Sequence, residues 1–116
     1  MITLAVSNII VNMKDKTKND NIEIMKQNAA KAEAMLKLLA NSKRLMILCN
    51  IVKEEKSVGK LAELVDLSQS AISQHLAKMR TQGLVEANKR GKVVYYRICN
   101  PGAEAILSTL YLIYCK

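Results

Sequence analysis

The sequence predicts a mainly α-helical domain that carries one small β-hairpin. Three observations lead there. Apolar residues recur at helical spacing in five separate stretches, the period changes to alternation in only one place, and the apolar residues are aliphatic. Half of the 116 residues are hydrophobic, yet there is no Trp or Phe and there are only four Tyr. A core of Leu, Ile, Ala and Met suits helix packing better than a β-sandwich, and the length suits one domain.

In chain order, residues 1–21 read as a flexible lead-in: an apolar piece, Ile2 to Met13, and then the polar run KDKTKNDN without periodicity. The apolar piece lacks a basic n-region and a small-residue cleavage site, and no run reaches the roughly 18 residues a membrane span requires. The expectation is a soluble, cytoplasmic protein. Residues 22–116 form the folded domain. Ile22, Met25, Ala29, Ala32, Met35, Leu36 and Leu39 make the stripe of a first helix. Asn41-Ser42 supplies a stop and a new cap. The following run LMILCNIV is apolar nearly all round, which predicts a central, buried second helix, and Lys53 to Lys56 reads as a charged turn.

Ser57 can cap a short third helix with Val58, Leu61, Ala62 and Val65 facing inward. Asp66-Leu67-Ser68 leaves only a tight turn before LSQSAISQHLAKMRTQGL, the stretch around which the chain is organised. There Ser68 is the N-cap and Gly83 the stop, and Ile72, Leu76 and Met79 share the inner stripe. Ser70, Ser73, Gln74, Ala77 and Thr81 fall on the opposite side, flanked by Lys78 and Arg80. Solvated faces usually carry Lys and Glu. Short hydroxyls and amides backed by cations suit a helix that enters a DNA major groove.

After Gly83, LVEAN alternates, Asn88-Lys89-Arg90-Gly91-Lys92 is a basic turn, and VVYYRIC is β-branched and aromatic. Val94, Tyr96 and Ile98 point to one side of that strand and Val93, Tyr95 and Arg97 to the other. Asn100-Pro101-Gly102 opens the last helix, AEAILSTLYLIYC, which is apolar on almost every side. The order α-α-α-α-β-β-α, with a tight turn between the third and fourth helices, defines a winged helix-turn-helix. A terminal helix has one side against its own domain, so the excess predicts a homodimer through the first and last helices. Palindromic operators are read by such dimers. The formal net charge of +8 points the same way, toward a polyanionic partner.

On the stretches LKLLANSKRLMIL, LVDLSQSAISQHLAKMRTQGLV and GKVVYYRI, the chain from about Ala29 to Cys115 resembles the ArsR family of winged-helix repressors. That resemblance implies a homodimer on double-stranded operator DNA whose affinity changes when an inducer is sensed. Many relatives sense metals, and those positions are substituted here. Ser57-Val58-Gly59 stands where thiolate sensors carry Cys-x-Cys, and the last helix offers only Glu104 where zinc sensors place their ligands. No metal site and no cofactor is expected. Cys49 and Cys115, 66 positions apart, match the cysteine pair of the sulfide- and redox-responsive branch. The match implies a disulfide or polysulfide link that forms with oxidants or reactive sulfur species and weakens DNA binding. Without the resemblance, Cys49 reads as a small buried hydrophobe and Cys115 as a near-terminal thiol. Cys99 has no counterpart in the pair and reads as structural.

On the reading unit, Ser68 caps, and Gln69, Ser70, Ser73 and Gln74 are the expected base-edge or groove contacts. His75 lies toward the flank and suits a phosphate or an internal hydrogen bond. Lys78, Arg80, Lys89, Arg90 and Lys92 are expected electrostatic anchors. Two rivals keep the fold: a metal bound at a non-standard site built on Cys49 and Cys115, and a winged helix that docks on proteins instead of DNA. An enzyme is disfavoured by a single His, no phosphate-binding loop and no nucleophile–base pair.

Overall fold

The computed structural model describes residues 18–115. Its elements are α1 (Lys18–Leu39), α2 (Ser42–Ile51), β1 (Lys56–Ser57), α3 (Val58–Val65), α4 (Gln69–Thr81), β2 (Val85–Arg90), β3 (Val93–Ile98) and α5 (Pro101–Tyr114). The predicted order of five helices and a hairpin is observed, and the fold is a winged helix-turn-helix. Most of the lead-in, residues 1–17, lies outside the described residues. Its last four residues do not: α1 begins at Lys18, ahead of the first apolar position at Ile22. Asp20 sits in the first turn, where a carboxylate complements the helix dipole, so the helix extends beyond its apolar stripe.

Side-chain caps punctuate the chain where the sequence places polar residues. Asn41, Ser57, Ser68 and Asn100 each adopt extended backbone and accept a bond from the amide three residues on, at 3.0–3.2 Å. Each satisfies a helix-start donor that would otherwise be orphaned. Asp66, at φ 52°, ends α3 in the left-handed region, and Leu67 and Ser68 complete the turn into α4. A short polar side chain tolerates that conformation better than a bulky one.

The core of the unit from Leu39 onward is aliphatic. Ile47, Leu48, Leu61, Ile72, Leu76, Met79, Leu84 and Leu107 are all fully buried. The second helix is less buried than its composition predicts: Met46 is 46% exposed and Leu45 and Cys49 are half-buried. An apolar-all-round helix needs cover on every side, and the single chain covers α2 on one.

The sheet has three strands in the order β1-β3-β2, all antiparallel. The third strand is the two-residue β1, where Lys56 faces Tyr96 and Ser57 faces Tyr95. Lys56 closes the charged run in sequence, and two residues are too short to show alternation. In the hairpin, Glu86 faces Arg97 and the two side chains form an ion pair that favours this register.

Candidate nucleic-acid interface and thiol pair

α4 is fastened from below and open above. Ile72, Leu76 and Met79 are fully buried, whereas Gln69, Ser70, Ser73, Gln74, Lys78 and Arg80 are exposed along one broad face. His75 is half-buried at the flank, as its wheel position predicts. Ser68 is exposed, but its hydroxyl is occupied in capping Ala71. The end of the helix is tied down as well: the Leu84 amide reaches back to the Met79 carbonyl at 3.0 Å, and Gly83 takes a φ of 75°. The exposed Cys99 thiol donates to the Gly83 carbonyl at 3.5 Å, which places it in the join between α4 and the wing.

Lys89, Arg90 and Lys92 are exposed at the wing tip, around Gly91 with its φ of 65°. Arg90 has partners that the sequence did not reveal. Its guanidinium forms an ion pair with Glu55 and lies over the Tyr95 ring, 4.1 Å from the centroid. Glu55 belongs to the segment between α2 and β1. Two residues earlier in that segment, the Lys53 ammonium sits 4.4 Å from the centroid of the Tyr111 ring on α5. The segment therefore touches the wing with one residue and the terminal helix with another. No spacing rule would have paired Glu55 with Arg90, because the contact is set by β1 joining the edge of the sheet.

Cys49 on α2 and Cys115 at the end of α5 come together. Both are free thiols, Cys49 half-buried and Cys115 exposed, and they lie close enough to interact electrostatically. Burial pushes the Cys49 thiol up to about 11, and the nearby Cys115 adds to the rise. Both thiols line a cleft of about 360 Å³ whose other walls are Leu45, Met46, Leu64, Val65, Leu110 and Tyr114, with Asn50 at its side. Among the described residues, no three His, Cys, Asp or Glu side chains converge as a metal site would require.

The model of the bacterial regulatory protein arsR family matches residues 41–87, from the cap of α2 into the first strand of the wing. The transcriptional activator HlyU of Vibrio cholerae is 43% identical over 96 residues, covering 83% of this chain and 89% of the relative. The chain belongs to the arsR family. The structure of reduced HlyU from the same organism superposes with a TM-score of 0.75 at 42% identity, covering 81% of this chain and 99% of that one. The biofilm growth-associated repressor of Xylella fastidiosa is 34% identical over 104 residues, covering 89% of this chain and 91% of the relative. As an arsR-family member, the protein is a DNA-binding transcriptional regulator rather than an enzyme. No described helix is long and apolar enough to cross a membrane.

Proposed function

We propose that the protein is a homodimeric, operator-specific repressor whose DNA affinity falls when Cys49 and Cys115 become linked. The observation that carries this reading is the meeting of the two thiols across α2 and α5. The relative of known structure described as reduced is consistent with thiol chemistry in this part of the family.

Chemical roles follow from burial. The thiolate is the nucleophile in disulfide chemistry. With its thiol pushed up to about 11, Cys49 is almost wholly protonated at neutral pH. The exposed Cys115 therefore meets the oxidant or sulfur donor first, and Cys49 closes the link.

Consequences follow from placement. A disulfide holds its Cα atoms roughly 4.4–6.8 Å apart, so the link would pin the end of α5 to α2. Movement of α5 reaches the wing through Tyr111, Lys53, Glu55 and Arg90. It also reaches the dimer, for Leu112 and Ile113 on α5 are 60% and 62% exposed, and Ile22, Met25 and Leu36 on α1 are exposed too. A partner subunit is the expected cover for these apolar groups. Half-sites lie one DNA turn, about 34 Å, apart, so a shift in subunit spacing weakens simultaneous docking.

On DNA, Gln69, Ser70, Ser73 and Gln74 face the base edges, and Lys78, Arg80, Lys89, Arg90 and Lys92 bind phosphates, with His75 at the flank. The test is operator affinity of the reduced protein, then after treatment with peroxide or persulfide, for the wild type, Cys49→Ser and Cys115→Ser. The wild type should release DNA and both variants should hold it. If both variants release DNA as readily as the wild type, the switch is elsewhere.

A further inference from the structure

We infer that the cleft between α2, the end of α3 and α5 binds the hydrocarbon body of an oxidant, an organic hydroperoxide being the simplest such ligand, and delivers it to Cys115. This deepens the thiol-switch reading and rests on it. The cleft has two features that a bare thiol pair would not need. Its volume, about 360 Å³, lies within the roughly 300–1,000 Å³ of small-molecule pockets. Its walls are aliphatic apart from the Tyr114 ring, the thiols and Asn50, and the Asn50 side-chain amide donates back to the Met46 carbonyl at 2.6 Å. A charged or strongly hydrated reactant finds there only the Asn50 amide and the thiols to replace its water. An apolar body gains by leaving water, and its reactive end then lies beside two sulfurs.

The cleft also lies on a different side of α5 from Leu112, the exposed apolar group expected at the centre of that helix's dimer contact. Ala103, Leu107, Leu110 and Tyr114 follow one another at spacings of four, three and four along α5, which makes one stripe; Ala103 and Leu107 are buried and Leu110 and Tyr114 line the cleft. Leu112 falls on the opposite side of that helix. A dimer contact made on the Leu112 side of α5, with Ile113 at its border, leaves the Leu110–Tyr114 side of the helix to a small molecule.

The chemistry balances with one hydroperoxide and the two thiols. The Cys115 sulfur attacks the terminal oxygen, the O–O bond breaks, the alcohol leaves and Cys115 becomes a sulfenic acid. The Cys49 sulfur then displaces the hydroxyl, the S–S bond forms, and water leaves with the thiol proton. Two electrons pass from the thiol pair to the peroxide. The half-buried Cys49 is held next to the sulfenic acid and away from bulk oxidant, and its thiol must give up its proton as its sulfur attacks.

The test uses the full-length reduced protein and two probes, cumene hydroperoxide and hydrogen peroxide. Rates of Cys49–Cys115 linkage are followed by mass spectrometry, and each is divided by the rate with a free cysteine derivative. The expected preference for cumene hydroperoxide is roughly tenfold, from partial burial of its hydrocarbon. The unreactive alcohol 2-phenyl-2-propanol should slow the cumene reaction and spare the other. Met46→Gln and Leu64→Gln change side chains that are 46% and 45% exposed, so the fold tolerates them, and each should reduce the preference severalfold. If both peroxides form the link with no preference, the cleft assignment is overturned while the switch stands. A preference that neither substitution alters also overturns the cleft. If neither peroxide forms the link, the oxidant-driven switch and the cleft fall together.

Discussion

The helix-turn-helix unit and the α2–α5 layer are built from similar aliphatic residues but are finished to different degrees. In α4 every inward side chain is fully buried, both ends are tied by hydrogen bonds, and the outer face is polar. In the α2–α5 layer, Met46, Leu112, Ile113 and Tyr114 are exposed, and a cleft opens beside two free thiols. A reading head must keep its geometry, because base contacts specify sequence only when the helix enters the groove in one way. A layer with the proposed sensing role must be able to rearrange, and local looseness belongs to elements with fewer buried contacts.

The largest test of that contrast is truncation in each region. Leu76→Ala removes a fully buried side chain under the reading face and should cost about 2–5 kcal/mol, enough to unfold much of a small domain. Leu112→Ala removes an equally large side chain that is 60% exposed, and should cost the isolated chain far less. Its effect should appear instead as weaker dimerisation and a lower apparent operator affinity. Urea unfolding and sedimentation across a concentration series separate the two outcomes. Equal losses of unfolding free energy at low protein concentration would remove the contrast.

The sequence revealed the finished region more fully than the unfinished one. Caps, the inner stripe of α4 and the basic wing tip are local patterns, set by spacing and by residue type. The cysteine pair was visible only by resemblance, since a separation of 66 positions carries no local signal. Glu55 was not visible at all. Its contact with Arg90 depends on β1 pairing with β3, and a two-residue strand leaves no periodicity to read. The near-uniform apolar run in α2 misled for a related reason: composition reports that a surface wants cover, not whether the same chain provides it.

A middle-sized effect concerns the connection between the regions. Arg90, the proposed phosphate anchor, is held in the free protein by Glu55 and Tyr95. DNA phosphate must then compete with a carboxylate. Glu55 is half-buried and Arg90 exposed; taking the roughly 0.2–1 kcal/mol of a surface pair, Glu55→Gln should tighten operator binding by up to about fivefold. Arg90→Ala should weaken binding to all sequences alike and lower the salt slope by about one. Anisotropy titrations over a range of salt concentrations measure both. Weaker binding in Glu55→Gln would mean that the carboxylate positions the wing instead of restraining it.

The smallest expected effect is a pH dependence that belongs to the α2–α5 layer alone. Desolvation first, and then Cys115, raise the Cys49 thiol from 9.0 to about 11 in the folded chain. An unfolded chain therefore releases this proton at lower pH than the folded one does. Between about 9 and 11 the folded state binds more protons, so stability falls as pH rises. The contribution is fully present below about 9 and is lost as pH passes about 11. Lys and Tyr residues also titrate in this range, so the informative quantity is a difference. The urea midpoint of the reduced wild type should decline more steeply from pH 8.5 to 11 than that of Cys49→Ala. Cys115→Ala should keep most of the decline, because burial is the larger cause. Parallel profiles for the wild type and Cys49→Ala would show that Cys49 is as well hydrated as a surface thiol. The α2–α5 layer would then be open to water throughout, and its cleft would lose its dry wall.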